Sequence, residues 1–256
     1  MSTRSSLRNS FLALTSLITA SLLLLFCPEI ARAADEDEAD RFAELREQMV
    51  ERDIASSGWF GRDAVEDERV VEAMRAVERH KFVSANLRDQ AYADRPLPIG
   101  HGQTISQPYI VAMMTELLEV EPGDKVLEIG AGSGYHAAVV AEIVDEVYTI
   151  EIVEPLAEQC KERMEELGYE NVTVRHGDGY YGWEEHAPFD AILVTAAASH
   201  IPPALTEQLK PGGRMVIPVG QPMQVQNLLL VEKDEEGAVR QRNIMPVRFV
   251  PLTRGE

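Results

Sequence analysis

The clearest pattern along the chain is an alternation of short apolar runs with amphipathic segments, and it begins at Lys125. The first run, KVLEIG, is almost continuously apolar, as expected of a strand that is buried on both faces. The segments YHAAVVAEIV and PLAEQCKERMEEL repeat their apolar residues at helical spacing. Further strands are predicted at EVYTIE, VTVRHGD, DAILVTAA and RMVIPVG, with a helix at PPALTEQL and a Pro-Gly-Gly turn before the last strand. Repeated strand–helix units form a parallel sheet with helices on both faces.

The end of the chain breaks this alternation. The strand-like runs QNLLLVEKD and RNIMPVRFVPL follow each other with no helix between them. Consecutive strands without a crossover helix pair as antiparallel neighbours. The sequence therefore predicts an α/β fold, with a doubly wound, Rossmann-like sheet and an antiparallel C-terminal edge.

The beginning of the chain has the order of parts that is typical of a secretory signal peptide. Arg4 and Arg8 precede the apolar run LALTSLITASLLLLF, and Ala31-Arg32-Ala33 forms a small-x-small cleavage pattern. An uncleaved membrane anchor is the alternative, but the run is short for a membrane span and contains Ser and Thr. We expect cleavage near Ala33, export to the periplasm, and no stable membrane association afterwards.

The region between this signal and the sheet is predicted to be mainly helical. VVEAMRAVERHKFV is its clearest amphipathic helix, whereas DRPLPIGHGQTISQP shows neither a helical nor a strand period and is expected to be a loop. Pro108 then opens a helix through YIVAMMTELLEV, since proline is well tolerated in a first turn. We divide the chain into a signal peptide (1–33), a helical region with this loop (34–115) and a core (116–256).

Composition excludes several classes of function. The formal net charge of −19 argues against nucleic acid as a partner, because phosphates require Lys and Arg. The six His residues show no HExxH-like pairing, so we predict no metal site. Cys160 recurs with Leu156, Met164 and Leu167 at helical spacing, which indicates a core residue rather than a nucleophile.

The loop EIGAGSGY after the first strand of the sheet is the candidate ligand site. Gly130, Gly132 and Gly134 let the backbone turn sharply and approach a ligand closely. A dinucleotide-binding G-x-G-x-x-G pattern would need Gly where Tyr135 stands. Glu128 would repel a pyrophosphate but suits the ammonium and sulfonium of S-adenosylmethionine (SAM). The loop therefore favours SAM as the cofactor over NAD, with a mere tight turn as the structural alternative.

Two further carboxylates lie at the ends of predicted strands. Glu151 ends the second strand of the sheet, about 20 residues after the loop, where a carboxylate accepts hydrogen bonds from ribose hydroxyls. Asp178 ends the third strand, where it can accept from an adenine amino group. The alternatives are a solvated strand end for Glu151 and a turn-forming Asp-Gly for Asp178.

With these residues in place, the chain resembles the protein-L-isoaspartate O-methyltransferases over roughly residues 70 to 253. The segments that carry the resemblance are KFV, LPIGHGQTISQPYIVAMMTELL, VLEIGAGSGY, HGDG, PFDAILVTAA, LKPGGRMVIPVG and RFVPLT. The Gly loop marks only the SAM-dependent superfamily, whereas GQTISQP and RFVPLT are much more specific. The resemblance implies a SAM-dependent methyltransferase fold.

The resemblance also implies an activity and a set of site residues. The reaction is methyl transfer from SAM to the free carboxylate of L-isoaspartyl residues in damaged proteins and peptides, which begins their repair through a succinimide. The active-site residue is Ser106. The cofactor contacts are implied at Thr104, Ile105, Glu128, Gly130, Gly132, Gly134, Glu151, Asp178, Gly179 and Thr253. The alternative for Thr104 or Ser106 is capping of the helix that starts near Pro108.

Two rival functions stay open from the sequence. One is a methyltransferase of the same fold that acts on a small molecule, and it requires the GQTISQP match to be accidental. The other is a binding protein that retains the fold but has lost catalysis. The intact Gly loop, Glu151, Asp178 and Ser106 argue against such a loss.

Overall fold

The computed structural model describes residues 28–56, 62–222 and 224–255. The chain divides into two units, Met1–Leu45 and Arg46–Glu256. Of the first unit, residues 28–45 are described, and they belong to helix α1 (Pro28–Met49). The predicted signal peptide thus lies outside the described residues except for its last few positions. No helix within the described ranges is both long and apolar enough to span a bilayer.

The second unit contains the predicted sheet and its helices. A π-helical turn, Val50–Ile54, follows α1, and short 3-10 turns occur at Arg79–Phe82, Ala85–Gln90, Gly179–Tyr181 and Glu184–His186. The helices are α2 (Glu68–Ala76), α3 (Pro108–Leu118), α4 (Tyr135–Ala141), α5 (Glu154–Leu167) and α6 (Pro203–Gln208). The strands are β1 (Leu97–Gly100), β2 (Gln103–Ile105), β3 (Lys125–Ile129), β4 (Glu146–Glu151), β5 (Val172–His176), β6 (Phe189–Val194), β7 (Leu209–Val219), β8 (Gln226–Lys233) and β9 (Val239–Val247). The boundary predicted after residue 115 falls inside α3.

Seven strands form one sheet in the order β5-β4-β3-β6-β7-β8-β9. The pairs from β5 to β7 are parallel, and the pairs β7–β8 and β8–β9 are antiparallel. The predicted doubly wound sheet with an antiparallel C-terminal edge is therefore confirmed. The strand order reverses between β3 and β6, which places a ligand crevice at the carboxyl ends of these two strands.

The central strands are buried on both faces, as their apolar runs predict. Leu127 and Ile129 of β3 pack with Ile192 and Val194 of β6 in one core cluster, and none of the four is more than 1% exposed. Cys160 is fully buried on α5, in agreement with its predicted role in the core. This packing holds the carboxyl ends of the strands rigidly in place.

The segment predicted to be a loop contains a β-hairpin instead. Leu97 pairs with Ile105 and Gly100 with Gln103, in an antiparallel sheet of β1 and β2. The turn between them uses positive φ at Gly100 (93°), His101 (50°) and Gly102 (73°), a conformation that glycine adopts without strain. The prediction missed this hairpin because its strands are too short to show a period and contain Pro and Gly.

The Pro-Gly-Gly segment is likewise not the turn that we predicted, but part of β7. Phe189 pairs with Leu209 and Ala191 with Arg214, so residues 210–213 lie opposite a single residue of β6. The segment is thus a large bulge inside a strand, and such irregularities bend one strand of a pair locally. The run RNIMPVRFVPL also differs from the prediction, since β9 ends at Val247.

Candidate active site

The Gly loop joins β3 to α4 at the crevice where the strand order reverses. Gly130, Gly132 and Gly134 all have positive φ, at 100°, 53° and 87°. A Cβ atom at Gly134 would lie 2.8 Å from the Cys160 Sγ atom, and one at Gly132 would lie 3.2 Å from the Ile99 Cδ1 atom. The loop therefore packs tightly against α5 on one side and against the β1–β2 hairpin on the other.

Glu151, at the end of β4, supports this loop directly. Its Oε2 atom accepts a hydrogen bond from the Gly132 N–H at 2.7 Å, and its Oε1 atom accepts from the Val153 N–H at 2.9 Å. The side chain is 5% exposed, so it is not the solvated strand end that was the alternative. Each carboxylate oxygen can accept a second hydrogen bond, which leaves acceptor capacity toward the crevice.

Glu128 lies under the same loop, on β3. Its Oε2 atom accepts a hydrogen bond from the Thr149 hydroxyl at 2.5 Å, whereas its Oε1 atom is buried without a partner among the described residues. Burial raises the pKa of this carboxyl to about 8. A buried carboxyl oxygen without a partner is costly, and a bound ammonium group would supply a donor to it. The residues present therefore fit the amino end of SAM.

Three adjoining hollows surround the loop and the hairpin. The inner pocket lies against Ile105, Ser106, Glu128 and Gly132. The loop cleft lies against Gly130, Gly132, Glu151, Gly179 and Thr253. The outer cavity, of about 420 Å³, is bounded by Ser106, Arg62 and the segment from Met245 to Val250. Thr104 and Thr195 line all three, so the hollows meet at these two residues.

Ser106 lies where the inner pocket and the outer cavity adjoin. The N-cap residue of α3 is Gln107, and it makes no side-chain capping bond. Instead, the Asp94 Oδ1 atom accepts the Tyr109 N–H at 3.0 Å. The first turn of α3 thus receives its side-chain cap from Asp94, and the alternative that Thr104 or Ser106 caps this helix is wrong.

Asp94 also holds the polar side chains around it. Its Oδ2 atom accepts hydrogen bonds from the Gln107 side-chain amide and from Arg62, each at 2.7 Å. The guanidinium of Arg62 lies 4.8 Å from the centre of the Tyr109 ring. This network fixes Gln107 and Tyr109, which follow Ser106, without using the Ser106 hydroxyl group.

Asp178 differs from the other predicted cofactor residues because three donors of the protein already bind its carboxylate. Its Oδ1 atom accepts the Tyr180 N–H at 3.0 Å, and its Oδ2 atom accepts from the Arg254 Nε and the Gly255 N–H at 3.1 Å each. Burial acts to raise the pKa of Asp178, but these hydrogen bonds lower it overall. The side chain caps a 3-10 turn and binds the C-terminal segment, and it does not line the loop cleft, although its neighbour Gly179 does.

The C-terminal segment enters the site through backbone pairing. Ala197, after β6, donates its N–H to the Val250 carbonyl and accepts from the Leu252 N–H, each at 2.8 Å. This pairing brings Thr253 to the loop cleft. The position of RFVPLT thus depends on residues that lie about 50 positions earlier in the chain.

Sequence reasoning did not identify Thr195 or Asp94. Thr195 follows β6, and its hydroxyl donates to the Gly130 carbonyl at 2.6 Å. The rule that ligands bind at carboxyl ends of strands could have indicated this residue. Asp94 had no such signal, because its contacts depend on the hairpin. Among the described residues, no group of three His, Cys, Asp or Glu side chains is placed to hold a metal ion.

Comparisons with known proteins agree with this geometry. Residues 60–256 match the model of the protein-L-isoaspartate(D-aspartate) O-methyltransferase family. Protein-L-isoaspartate O-methyltransferase 2 of Polaromonas sp. is 67% identical over 187 residues, which cover 73% of this chain and 89% of the relative.

Two solved structures show the same architecture. One, a protein-L-isoaspartate O-methyltransferase, has a TM-score of 0.70 and 29% identity, and the match covers 82% of this chain but only 65% of that chain. The other is described as a beta-aspartate methyltransferase from Plasmodium falciparum in complex with S-adenosyl-L-homocysteine. It has a TM-score of 0.67 and 26% identity, and the match covers 83% of this chain and 98% of that chain. The predicted fold and the SAM-type cofactor are therefore confirmed. The chain belongs to the protein-L-isoaspartate(D-aspartate) O-methyltransferase family, as its GQTISQP and RFVPLT segments predict.

Proposed function

We propose that this chain transfers the methyl group of SAM to the free carboxylate of L-isoaspartyl residues in damaged proteins and peptides. The observation that carries the proposal is that the hollows against the Gly loop adjoin a separate outer cavity at Thr104 and Thr195. A cofactor at the loop and a substrate in the outer cavity would therefore be neighbours at these two residues. Family membership supplies the identity of the reactants.

The cofactor would be held by the residues around the Gly loop. Glu151 would accept hydrogen bonds from the ribose hydroxyls, and the Oε1 atom of Glu128 would accept from the ammonium group. Backbone at Gly130, Gly132 and Gly134 would lie against the cofactor. Contacts from the covering segments are proposed at Thr104, Ile105, Gly179 and Thr253. Asp178 is proposed for the adenine amino group, through the one lone pair of its Oδ1 atom that its present donors leave free.

The chemistry requires little of the protein beyond positioning. SAM, when bound, supplies a methyl group that its sulfonium already activates. A carboxylate is itself a nucleophile, so the residues of this chain need only align it and exclude water. The Ser106 hydroxyl is the donor that we propose to orient the substrate carboxylate, since Ser106 lines the outer cavity and does not cap α3. The hairpin covers the Gly loop and restricts the entry of water.

The outer cavity suits an anionic peptide. Among the described residues, its charged lining side chains are Arg248 and Arg62, of which Arg62 pairs with Asp94, and no carboxylate lines it, although the chain as a whole carries a net charge of −19. The strongly acidic remainder of the protein supports the further proposal that nucleic acid is not a partner. The positive charge of Arg248 at this cavity favours substrates that bear a carboxylate.

The proposal is tested by transfer of radiolabelled methyl from SAM to an isoaspartyl peptide, with the normal aspartyl peptide as the control. We expect methylation of the isoaspartyl peptide only. Equal methylation of both peptides would refute the proposed specificity. SAM binding without transfer to either peptide would instead favour the non-catalytic binding protein, and transfer only to a small molecule would favour the other rival.

We also propose that the chain is exported and released from the membrane after cleavage near Ala33. The support is the order of Arg4, Arg8, the apolar run and Ala31-Arg32-Ala33 in the sequence. Fractionation of expressing cells and N-terminal sequencing of the product test this proposal. A cytosolic product that begins at Met1 would overturn it without affecting the enzymatic proposal.

A further inference from the structure

Arg79 is a charged residue in a place where charge is unfavourable. It is 0% exposed, and among the described residues no carboxylate lies within ion-pair distance of it. Arginine keeps its proton in proteins, although burial lowers the pKa of this one. Its Nε and Nη2 atoms are hydrogen-bonded, whereas its Nη1 atom is buried without a partner among the described residues. Burial of a guanidinium is costly unless its contacts offset the lost hydration, so the partners that it has indicate its role.

Two of these partners bracket the hairpin segment. The Nε atom donates to the Ala91 carbonyl at 2.8 Å, and the Nη2 atom donates to the Ser106 carbonyl at 2.7 Å. Ala91 precedes β1, and Ser106 follows β2. One planar group therefore joins the two ends of the segment that contains the hairpin and Thr104.

The Arg79 side chain also contacts the helix that follows the Gly loop. Its Cζ atom lies 4.7 Å from the centre of the Tyr135 ring, and Tyr135 is the first residue of α4, immediately after Gly134. Arg79 is thus in contact with both the segment that carries Ser106 and the helix that follows the Gly loop. A displacement of either relative to the other has to break one of these contacts.

We propose that Arg79 is a positioning residue for methyl transfer, which sets Ser106 at the correct distance and orientation relative to the bound cofactor. The proposal rests on the function proposed above, because it takes Ser106 to orient the substrate carboxylate. Arginine suits this role, since its rigid fork can donate to two carbonyls in one plane while its face stacks on an aromatic ring. Lysine carries the same charge but lacks the planar set of donors that can bind two carbonyls at once.

The test is Arg79→Lys, measured as kcat and KM for an isoaspartyl peptide, calorimetric SAM affinity and melting temperature. We expect kcat to fall roughly tenfold to a hundredfold, as a misplaced reacting group would cause, while the Kd for SAM stays within about threefold. The matched control is Arg214→Met. Arg214 donates to the Leu117 carbonyl at 3.4 Å and pairs with Glu119 at 2.6 Å, at the other end of α3. This control should lower the melting temperature and leave kcat unchanged.

A double mutant separates positioning from general stability. In a Ser106→Ala background, Arg79→Lys should reduce kcat much less than it does in the wild-type chain, because both changes remove the same alignment. Additive losses, or a folded Arg79→Lys enzyme with wild-type kcat, would overturn the proposal. If Arg79→Lys does not fold, Arg79→Gln is measured in the same way, and failure of both to fold at low temperature assigns Arg79 a purely structural role. A wild-type chain that does not methylate the peptide rejects the proposed function instead.

Discussion

Glu151→Gln is the substitution whose effect the structure defines most closely. The carboxylate accepts the Gly132 N–H through one oxygen and the Val153 N–H through the other, at 2.7 and 2.9 Å. A glutamine keeps one acceptor atom and turns the second into an amino group that faces a backbone donor. One backbone N–H therefore loses its partner whichever way the amide is oriented, and the residue loses its charge.

The expected effect has two parts. A hydrogen bond to a charged group contributes about 1.5–3 kcal/mol, so the free energy of unfolding without cofactor should fall by about 2 kcal/mol. The bound ribose would lose a charged acceptor as well, which weakens SAM binding by roughly tenfold to a hundredfold. The first loss follows from contacts in the structure, and the second depends on the proposed ribose contact.

Thermal unfolding measures the first part, and titration calorimetry with SAM measures the second. Glu146→Gln is the matched control, because Glu146 lies on the same strand but is exposed and accepts only from the Tyr148 hydroxyl among its described contacts. The control should leave the SAM affinity unchanged. A folded Glu151→Gln protein with wild-type SAM affinity would remove Glu151 from the cofactor site.

Three other substitutions have defined outcomes. Ser106→Ala should lower kcat by roughly a hundredfold, as loss of one transition-state donor does. The melting temperature should change little, because Ser106 is not a helix cap. A destabilised enzyme of full specific activity would contradict this prediction. Glu128→Gln should remove one part of the pH dependence of stability. The pKa of Glu128 is raised to about 8 in the folded protein, so its contribution to stability without cofactor is fully present below the pKa of the unfolded chain and is lost as pH rises through about 8. Melting temperatures that change in parallel with pH for the two proteins would refute the assignment. Gly132→Val should abolish SAM binding, since φ is +53°, a Cβ atom there would lie only 3.2 Å from the Ile99 Cδ1 atom, and the side chain would occupy the loop cleft. Gly168→Val, at φ +80° in open space, should be strained without losing SAM. Equal SAM binding by both would show that the Gly loop is not the cofactor loop.

Much of the cofactor half of the site, which consists of the Gly loop and the carboxylates beside it, could be predicted from the sequence because its signals are local. The apolar runs around Leu127 and Ile192 specify buried parallel strands, and the spacing of Gly130, Gly132 and Gly134 specifies a loop that a ligand can approach. The carboxylates of Glu128 and Glu151 fall at strand ends, where a parallel sheet brings its ligands. Each of these signals is contained in a few neighbouring residues, so no knowledge of distant contacts is required.

The substrate half of the site, which consists of the hairpin, Ser106 and the C-terminal segment, was decided by the tertiary structure. The hairpin β1–β2 has no period of its own and is held by its turn and by Arg79, while Asp94 takes the capping role that the sequence offered to Thr104 or Ser106. Thr253 reaches the site only because Ala197, after β6, pairs with Val250 and Leu252 across a long separation in the chain. Local patterns report which face of an element is apolar, but they carry no information on which buried polar group will meet which donor. That choice is made when the packed core fixes the distances between distant segments.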